Sequence, residues 1–194
     1  MNGRDRMCIL ETDRLMMRRF REEDWRELYA YLSLPEVVKY EPYDVFTEDG
    51  CRELAARRAD DPAFWAVCLK DTGALIGNVF FQQQEPRELG TWVIGYVFNP
   101  AYQGRGYATE SCRRVMAYGF SERNAHRVVA MCNPENPASW RLLERLHMRR
   151  EGHLQENIFF KRDAQGNAVW VDTYEYAILS DEWLRLPMAM RSGV

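Results

Sequence analysis

The sequence has 194 residues, of which 46% are hydrophobic and 28% charged, and its formal net charge is −3. These values are typical of a soluble globular protein, and we expect a single domain over residues 1–194. The slightly negative charge argues against a nucleic-acid-binding surface or a polybasic membrane surface.

The cysteines argue against a metal centre. Cys8, Cys51, Cys68, Cys112 and Cys132 are odd in number and widely spaced, they form no CxxC pair, and no histidine stands at ligand spacing beside them. We therefore expect reduced thiols and no metal. The sequence shows no apolar leader and no run of about 20 apolar residues, so we expect a cytoplasmic protein without a membrane partner.

The first part of the chain predicts a strand, two helices and a hairpin. "RLMMRRF" is typical of a short opening strand, and "WRELYAYL" after Asp24 has apolar residues at helical spacing. Pro35 is expected to stop that helix. Thr47 is the predicted cap of a second helix over "CRELAARRA". "FWAVCLK" and "ALIGNVFFQQ" flank the turn sequence "DTG" and therefore predict two antiparallel strands.

The rest of the chain alternates strands with helices. "ELGTWVIGYVF" (residues 88–98) predicts a further strand, in which Gly95 indicates a bulge or a close backbone approach. A helix is predicted from residue 108, then the strand "HRVVAMC", then an amphipathic helix opened by Ser139. "HLQENIFF" and "AVWVDTYEYAIL" predict a long terminal hairpin. The order β-αα-βββ-α-β-α-ββ predicts a mixed α/β sheet with helices on its faces.

The stretch "NPAYQGRGYATE" (residues 99–110) concentrates glycine between a predicted strand and a predicted helix. Successive N–H groups of such a turn, together with the first turn of the helix, form a concave site for an anion. A Cβ at Gly104 or Gly106 would hold a phosphate away from those donors. A dinucleotide fingerprint would need glycine where Thr109 stands, and no P-loop is present. A tight turn without a ligand is the alternative.

The same stretch resembles the pyrophosphate loop of the GNAT superfamily of N-acetyltransferases, in its RimJ/RimL-like branch. Gln103, Gly106 and Ala108 match the pattern of Gln or Arg, two residues, Gly, one residue, then Gly or Ala. "LETDRLMMRRF", "NPASWRLLERLHM", "REGHLQENIF" and "DTYEYAILSDEW" resemble the branch's opening strand, asparagine-led helix and closing hairpin. The resemblance covers almost the whole chain. It implies a mostly antiparallel sheet with helices on both faces, splayed between the fourth and fifth predicted strands.

The resemblance also implies acetyl-CoA as the cosubstrate and direct attack by a primary amine in a ternary complex. By the same resemblance, the expected acceptor is a protein N-terminal α-amine or a small-molecule amine, and a homodimer is compatible with the family. Asn136 and Ser139 are expected near the pantetheine arm. The resemblance places the coenzyme along the residues that match the family's loop and strand: Tyr96, Val97, Phe98, Gln103, Gly104, Arg105, Gly106, Tyr107 and Ala108.

Acetyl transfer to an amine needs an uncharged amine, a donor for the carbonyl oxygen and a proton for the leaving thiolate. An unpaired amide near Val97 or Phe98 is the candidate oxyanion donor. Glu88 is the candidate base, through water, or else a solvated carboxylate at a strand end. Ser139 is the candidate donor to the thiolate, or else a helix cap. Leu143 stands where many family members carry a general-acid tyrosine, so a non-catalytic acyl-CoA-binding module is the alternative function.

The acidity of the ammonium group helps to choose between classes of acceptor amine. An α-amino group has an ordinary pKa near 7.7–8, against about 10.4 for a lysine amine, so more of the α-amine is uncharged at neutral pH. A site without an evident strong base therefore favours an α-amine, in agreement with the branch that acetylates ribosomal proteins. His153, Asn157 and Tyr174 are candidate polar groups of the acceptor pocket, with ordinary hairpin positions as the alternative.

Overall fold

The computed structural model describes residues 8–191. The strands of this part of the chain are β1 (Leu10–Glu11), β2 (Leu15–Arg18), β3 (Phe64–Leu69), β4 (Leu75–Gln83), β5 (Thr91–Phe98), β6 (Arg127–Cys132), β7 (Arg149–Arg162) and β8 (Ala168–Leu179). The helices are α1 (Trp25–Leu32), α2 (Pro35–Val38), α3 (Glu48–Asp60), α4 (Tyr107–Glu122), α5 (Pro137–Arg145), α6 (Ser180–Arg185) and α7 (Met188–Arg191). The eight strands form one sheet in the order β1-β2-β3-β4-β5-β6-β8-β7.

The sheet is antiparallel except between β5 and β6. Their parallel ladder runs from the pair Thr91–Arg127 to the pair Val93–Val129, and the two strands separate beyond it. β6 remains paired with β8 along its length, and β5 remains paired with β4. Since the opening strand is divided into β1 and β2, this gap lies between the fourth and fifth strands of the sequence prediction. The predicted splayed, mostly antiparallel fold is confirmed.

Helices cover both faces of the sheet because its central strands are apolar on both sides. In β3, Trp65 and Val67 pack into one core with the buried face of α4, whereas Ala66 and Cys68 pack into a second core with α1 and α3. Successive side chains of a strand point to opposite faces, so a continuous apolar run such as "FWAVCL" needs two layers of cover. The central strands are therefore covered by buried apolar side chains on both faces of the sheet.

The predicted caps and turns before β5 are largely confirmed, with one correction. Thr47 Oγ1 accepts a hydrogen bond of 3.1 Å from the Gly50 N–H at the start of α3. Gly73, with φ of 73°, turns the chain between β3 and β4. Pro35 does not simply stop α1, which ends at Leu32; it is the first residue of α2. A proline fits there because its φ is already helical and its missing N–H has no intrahelical partner to lose.

Two expectations about β5 are wrong. The pairing of β4 with β5 keeps one register from Gly77–Phe98 to Gln83–Trp92, so the bulge, one of the two interpretations of Gly95, is absent. β5 begins at Thr91 and not at Glu88, which lies in a 3₁₀ turn over Arg87–Leu89. Gly90 then adopts a left-handed conformation with φ of 61° and redirects the chain into the strand.

The five cysteines, all in the described part of the chain, form no disulfide, and four of them, Cys51, Cys68, Cys112 and Cys132, are buried. Within residues 8–191 no three histidine, cysteine or carboxylate side chains come together as a metal-binding group. Of the helices in the described part of the chain, none is long and apolar enough to cross a membrane.

The packing of α4 on the sheet predicts a stability effect at Gly119. A Cβ at this position would lie 2.4 Å from Cζ of Phe81, whose buried ring is stacked on Trp92. We expect Gly119→Val to lose about 1–3 kcal/mol in urea unfolding, because overpacking displaces that ring. Ser121→Val introduces the same side chain at an exposed position of α4 and should cost less than about 1 kcal/mol. Equal stability of the two variants would contradict the packing.

Candidate functional site

The turn between β5 and α4 has the geometry of an anion-binding loop. Gly104 and Gly106 have φ of 75° and 82°, and Gly106 is the N-cap of α4 without a side-chain hydrogen bond at that cap. The first N–H groups of a helix have no intrahelical partner, so those of α4 are available to a ligand. A Cβ at Gly104 would meet nothing within 4 Å, and the face of the loop is therefore open.

The turn between β1 and β2 supports this loop. Arg14 donates from Nε to the Glu110 carboxylate at 2.8 Å and from Nη1 to the Arg105 carbonyl oxygen at 3.1 Å. Its guanidinium also lies over the Tyr107 ring, 4.6 Å from the centroid. The Thr12 hydroxyl donates to the other oxygen of Glu110. The negative charge of Glu110, which would otherwise repel an anion at this loop, is thus balanced by Arg14. Sequence reasoning missed Arg14 because 96 residues separate it from Glu110.

The open edge of β5 presents two unpaired amides. The Asn99 N–H donates to the Ile76 carbonyl oxygen in β4 at 2.9 Å. Because N–H groups alternate between the two edges of a strand, the Val97 amide also faces β4, whereas those of Tyr96 and Phe98 face the gap. The candidate unpaired amide near Val97 or Phe98 is therefore not that of Val97 itself. The amide of Phe98 remains a candidate oxyanion donor, and the amide of Tyr96 is a second one.

A cavity of about 200 Å³ opens where β5 and β6 separate. Its walls come from β5, β6, the start of α5, the β7–β8 hairpin and the chain between α2 and α3. Among the residues predicted for the site, Tyr96, Asn136 and Ser139 line this cavity. Strand, helix and hairpin residues far apart in sequence are thus brought together at the gap between β5 and β6.

Ser139 faces the cavity without acting as a helix cap. The cap of α5 is Asn136, whose Oδ1 accepts the Ser139 N–H at 3.2 Å, and Ser139 is the third residue of the helix. The capping interpretation of Ser139 is therefore wrong. Its hydroxyl lies 3.0 Å from that of Tyr96, which also donates to the Ser139 carbonyl oxygen at 3.1 Å. Burial raises the pKa of Tyr96 well above its ordinary value, so the phenol stays protonated. Leu143 is fully buried.

The chain between α2 and α3, residues 39–46, forms a strap across the cavity. The Tyr40 hydroxyl donates to the Glu135 carbonyl oxygen at 2.8 Å, and Asp44 pairs with Lys161 of β7 at 3.5 Å. Between these two anchors, Glu41 lies in the cavity wall. No motif in the sequence singles out Glu41, and its role in the wall becomes visible only when the strap is placed.

The predicted base lies elsewhere. Glu88 is exposed in the turn that precedes β5, whereas the glycine turn follows the other end of that strand. At about 3.3 Å per residue, the seven steps from Thr91 to Phe98 separate the two ends by about 23 Å. Glu88 is not among the described residues that line the cavity.

The hairpin candidates lie beside the cavity. His153 Nε2 is 2.7 Å from Oδ2 of Asp172, a lining residue, and the His153 ring contacts Tyr174 edge-on at a centroid distance of 4.9 Å. His153, Asn157 and Tyr174 are themselves not among the described lining residues. The carboxylate of Asp172 also accepts the Glu156 N–H at 2.9 Å. Asp172, which sequence reasoning did not select, therefore places a carboxylate of the hairpin in the cavity wall.

A splayed sheet beside a glycine turn is the arrangement of a GNAT acetyltransferase, and comparison with known proteins agrees. Residues 14–149 match the family described as acetyltransferase (GNAT) domain. The chain is 40% identical over 175 residues to the uncharacterized N-acetyltransferase YnaD of Bacillus subtilis, covering 90% of this chain and 98% of that protein.

Solved structures give the same result. A GNAT-family acetyltransferase from Bacillus anthracis has 36% sequence identity and a TM-score of 0.82, over 90% of this chain and all (100%) of that one. A spermidine N-acetyltransferase from Vibrio cholerae, in complex with CoA and spermine, shares the fold with a TM-score of 0.72 and 23% identity, over 88% and 98% of the two chains. The chain belongs to the GNAT family and is an N-acetyltransferase.

The glycine turn can be tested at Gly106. Valine there must adopt an unfavourable left-handed conformation, and it would place a side chain at the start of α4. We expect Gly106→Val to raise the KM for acetyl-CoA at least tenfold in steady-state kinetics, because fewer main-chain donors reach the diphosphate.

Gly166→Val is the matched control, since Gly166 has φ of 86° in the β7–β8 turn with open space around it. It should cost similar stability and leave the KM for acetyl-CoA unchanged. Equal KM values for the two variants would remove the glycine turn from coenzyme binding.

Proposed function

We propose that this N-acetyltransferase moves the acetyl group of acetyl-CoA directly to a primary amine in a ternary complex. The observation that carries the proposal is the cavity at the gap between β5 and β6. It joins an open main-chain edge, a pair of hydroxyl groups and two carboxylates, and its strand β5 leads into the glycine turn. As the motif resemblance suggests, we place the chain in the RimJ/RimL-like branch.

The residues present fit acetyl-CoA, which the family uses. The N–H groups of residues 104–108 and the first turn of α4 suit the diphosphate, since the loop is open and positively polarised. The N–H of Gln103 already donates to the Pro100 carbonyl oxygen at 3.1 Å. The free edge of β5 at Tyr96 and Phe98 suits the amides of the pantetheine arm, which would pair there as an added strand does. Asn136 and Ser139 line the cavity beside this edge, and Val97 holds β5 against β4.

Hydrogen-bond donors of the protein would stabilise two groups during acetyl transfer, the carbonyl oxygen and the leaving thiolate. The Phe98 and Tyr96 amides point into the gap, where a thioester carbonyl oxygen would accept from them. Ser139 and Tyr96 form a hydroxyl pair at the same place, and the raised pKa of Tyr96 keeps it a hydrogen-bond donor at every physiological pH. In this proposal the pair stabilises the leaving thiolate in place of the tyrosine that Leu143 replaces.

The charge of the cavity restricts the acceptor. Among the described lining residues, the charged ones are Glu41 of the strap and Asp172 of β8, and much of the remaining wall is apolar, as at Ile94, Ile158 and Phe160. Two carboxylates attract an ammonium group and repel a carboxylate attached to it. The proposed acceptor is therefore a small amine or a protein N-terminus that presents a positive charge. The Vibrio cholerae neighbour is named for such an acceptor, spermidine.

A panel of amines tests the proposal by thiol release from acetyl-CoA. Hexylamine and 6-aminohexanoate form a matched pair, because their amines have similar acidity and only one carries a carboxylate. We expect kcat/KM for hexylamine to be at least tenfold higher, and we expect turnover with a C-terminally amidated peptide. Tight CoA binding without release for any amine would support a non-catalytic module. A preference for 6-aminohexanoate would contradict the assignment of charge.

The hydroxyl pair predicts a defect in kcat. We expect Tyr96→Phe to lower kcat by about tenfold to a hundredfold while the KM for acetyl-CoA changes little, because the lost donor acts on the leaving group. Tyr176→Phe also removes a buried phenol, which lies on β8 and donates to Glu144 of α5 at 3.2 Å, and this variant should retain wild-type kcat. Equal rates for the two variants would eliminate this role of Tyr96.

A further inference from the structure

The strap holds Glu41 in a defined position in the cavity wall. Tyr40 on one side is bonded to the Glu135 carbonyl oxygen of the β6–α5 turn, and Asp44 on the other side is paired with Lys161 of the hairpin. Glu41 therefore lies between two attachments to the opposite walls. It lines the same cavity as Gly95, Tyr96 and Ser139, where the acetyl group and the amine must meet if the proposed function is right.

The surroundings of Glu41 make it a stronger base than an ordinary carboxylate. Tyr43 is hydrogen-bonded to it, and the buried Arg58 of α3 faces it, with both groups favouring the ionised form. Arg58 is shared with the Asn78 oxygen, which also accepts the Tyr31 hydroxyl of α1. Burial is the larger effect and raises the pKa of Glu41 from 4.5 to about 6, which makes the carboxylate about thirtyfold more basic.

Three other ionisable groups of the cavity are less suited to accept a proton. Asp172 of β8 is bonded to His153 and to the Glu156 N–H, and these bonds lower its pKa. Tyr96 of β5 and Cys132 of β6 are protonated, because burial raises the pKa of Cys132 to about 11 and raises that of Tyr96 well above its ordinary value.

We propose that Glu41 is the general base of the reaction and that its carboxylate takes the first proton from the acceptor ammonium. The inference rests on the proposed function. The O–H bond of Glu41 forms as an N–H bond of the ammonium breaks, leaving a neutral amine with a free electron pair. That pair forms the N–C bond to the acetyl carbon, the C–S bond breaks, and its electrons leave with the coenzyme sulfur. The second amine proton passes to that sulfur, and Glu41 releases its proton to water.

The test is the pH dependence of kcat/KM for an alkylamine whose pKa lies near 10.4. In the wild type the rate should rise up to about pH 6, as Glu41 ionises, and then form a plateau, because the ammonium itself is the substrate. In Glu41→Gln only the neutral amine can react. The rate at pH 7 should fall about a hundredfold or more, and log kcat/KM should rise with unit slope towards the amine pKa.

Three further measurements make the outcome decisive. Glu36→Gln changes an exposed carboxylate of α2 and should retain both the rate and the plateau. Glu41→Asp should keep the plateau at a reduced rate, and Glu41→Gln should bind CoA with wild-type affinity in calorimetry. A plateau retained by a fully active Glu41→Gln would overturn the role of Glu41 alone. Absence of amine-dependent turnover in the wild type would instead overturn the proposed function and this inference with it.

Discussion

The separation of β5 from β6 after three residue pairs is the constraint on which the site depends. Each strand stays fixed by its other neighbour, β4 or β8, so the sheet remains whole while one edge of each strand is free. Unpaired amides away from water cost about 1–3 kcal/mol each, and a ligand with amide groups of its own can satisfy them. The gap therefore combines a rigid frame with main-chain hydrogen-bonding groups that no side chain needs to supply.

Around this gap, each component of the site is held by a contact between distant parts of the chain. Arg14 in the β1–β2 turn holds the loop that follows β5 through Arg105 and Glu110. Tyr96 in β5 meets Ser139 in α5 across the separation. The strap is tied to the β6–α5 turn and to β7. In the proposed function, main-chain N–H groups bind the coenzyme, the hydroxyl groups stabilise the leaving sulfur, and the carboxylates attract the amine.

Much of the fold could be predicted because its signals are local. The Thr47 cap, the "DTG" hairpin, the glycine turn and the terminal hairpin each depend on a few neighbouring residues, and the structure has all four. The motifs also predicted the splayed sheet. The errors concern the exact ends of elements. A 3₁₀ turn and Gly90 precede β5, so Glu88 lies outside the strand. Asn136, and not Ser139, is the N-cap of α5.

The rest of the site could not be predicted, because it depends on register and on long-range contacts. Which of Val97 and Phe98 points its amide into the gap follows from strand register, which the sequence does not state. Arg14 and Glu110 are 96 residues apart, and neither stands out alone. Glu41 belongs to a segment without periodicity, and its basicity comes from burial that only the folded chain provides.

The most direct measurement of the central claim is a crystal structure of the protein grown with CoA. The account predicts that diphosphate oxygens accept main-chain N–H groups of residues 104–108, and that the pantetheine arm pairs with the free edge of β5 at Tyr96 and Phe98. Density for the coenzyme in another crevice, with this edge and loop making no contact to it, would contradict the account.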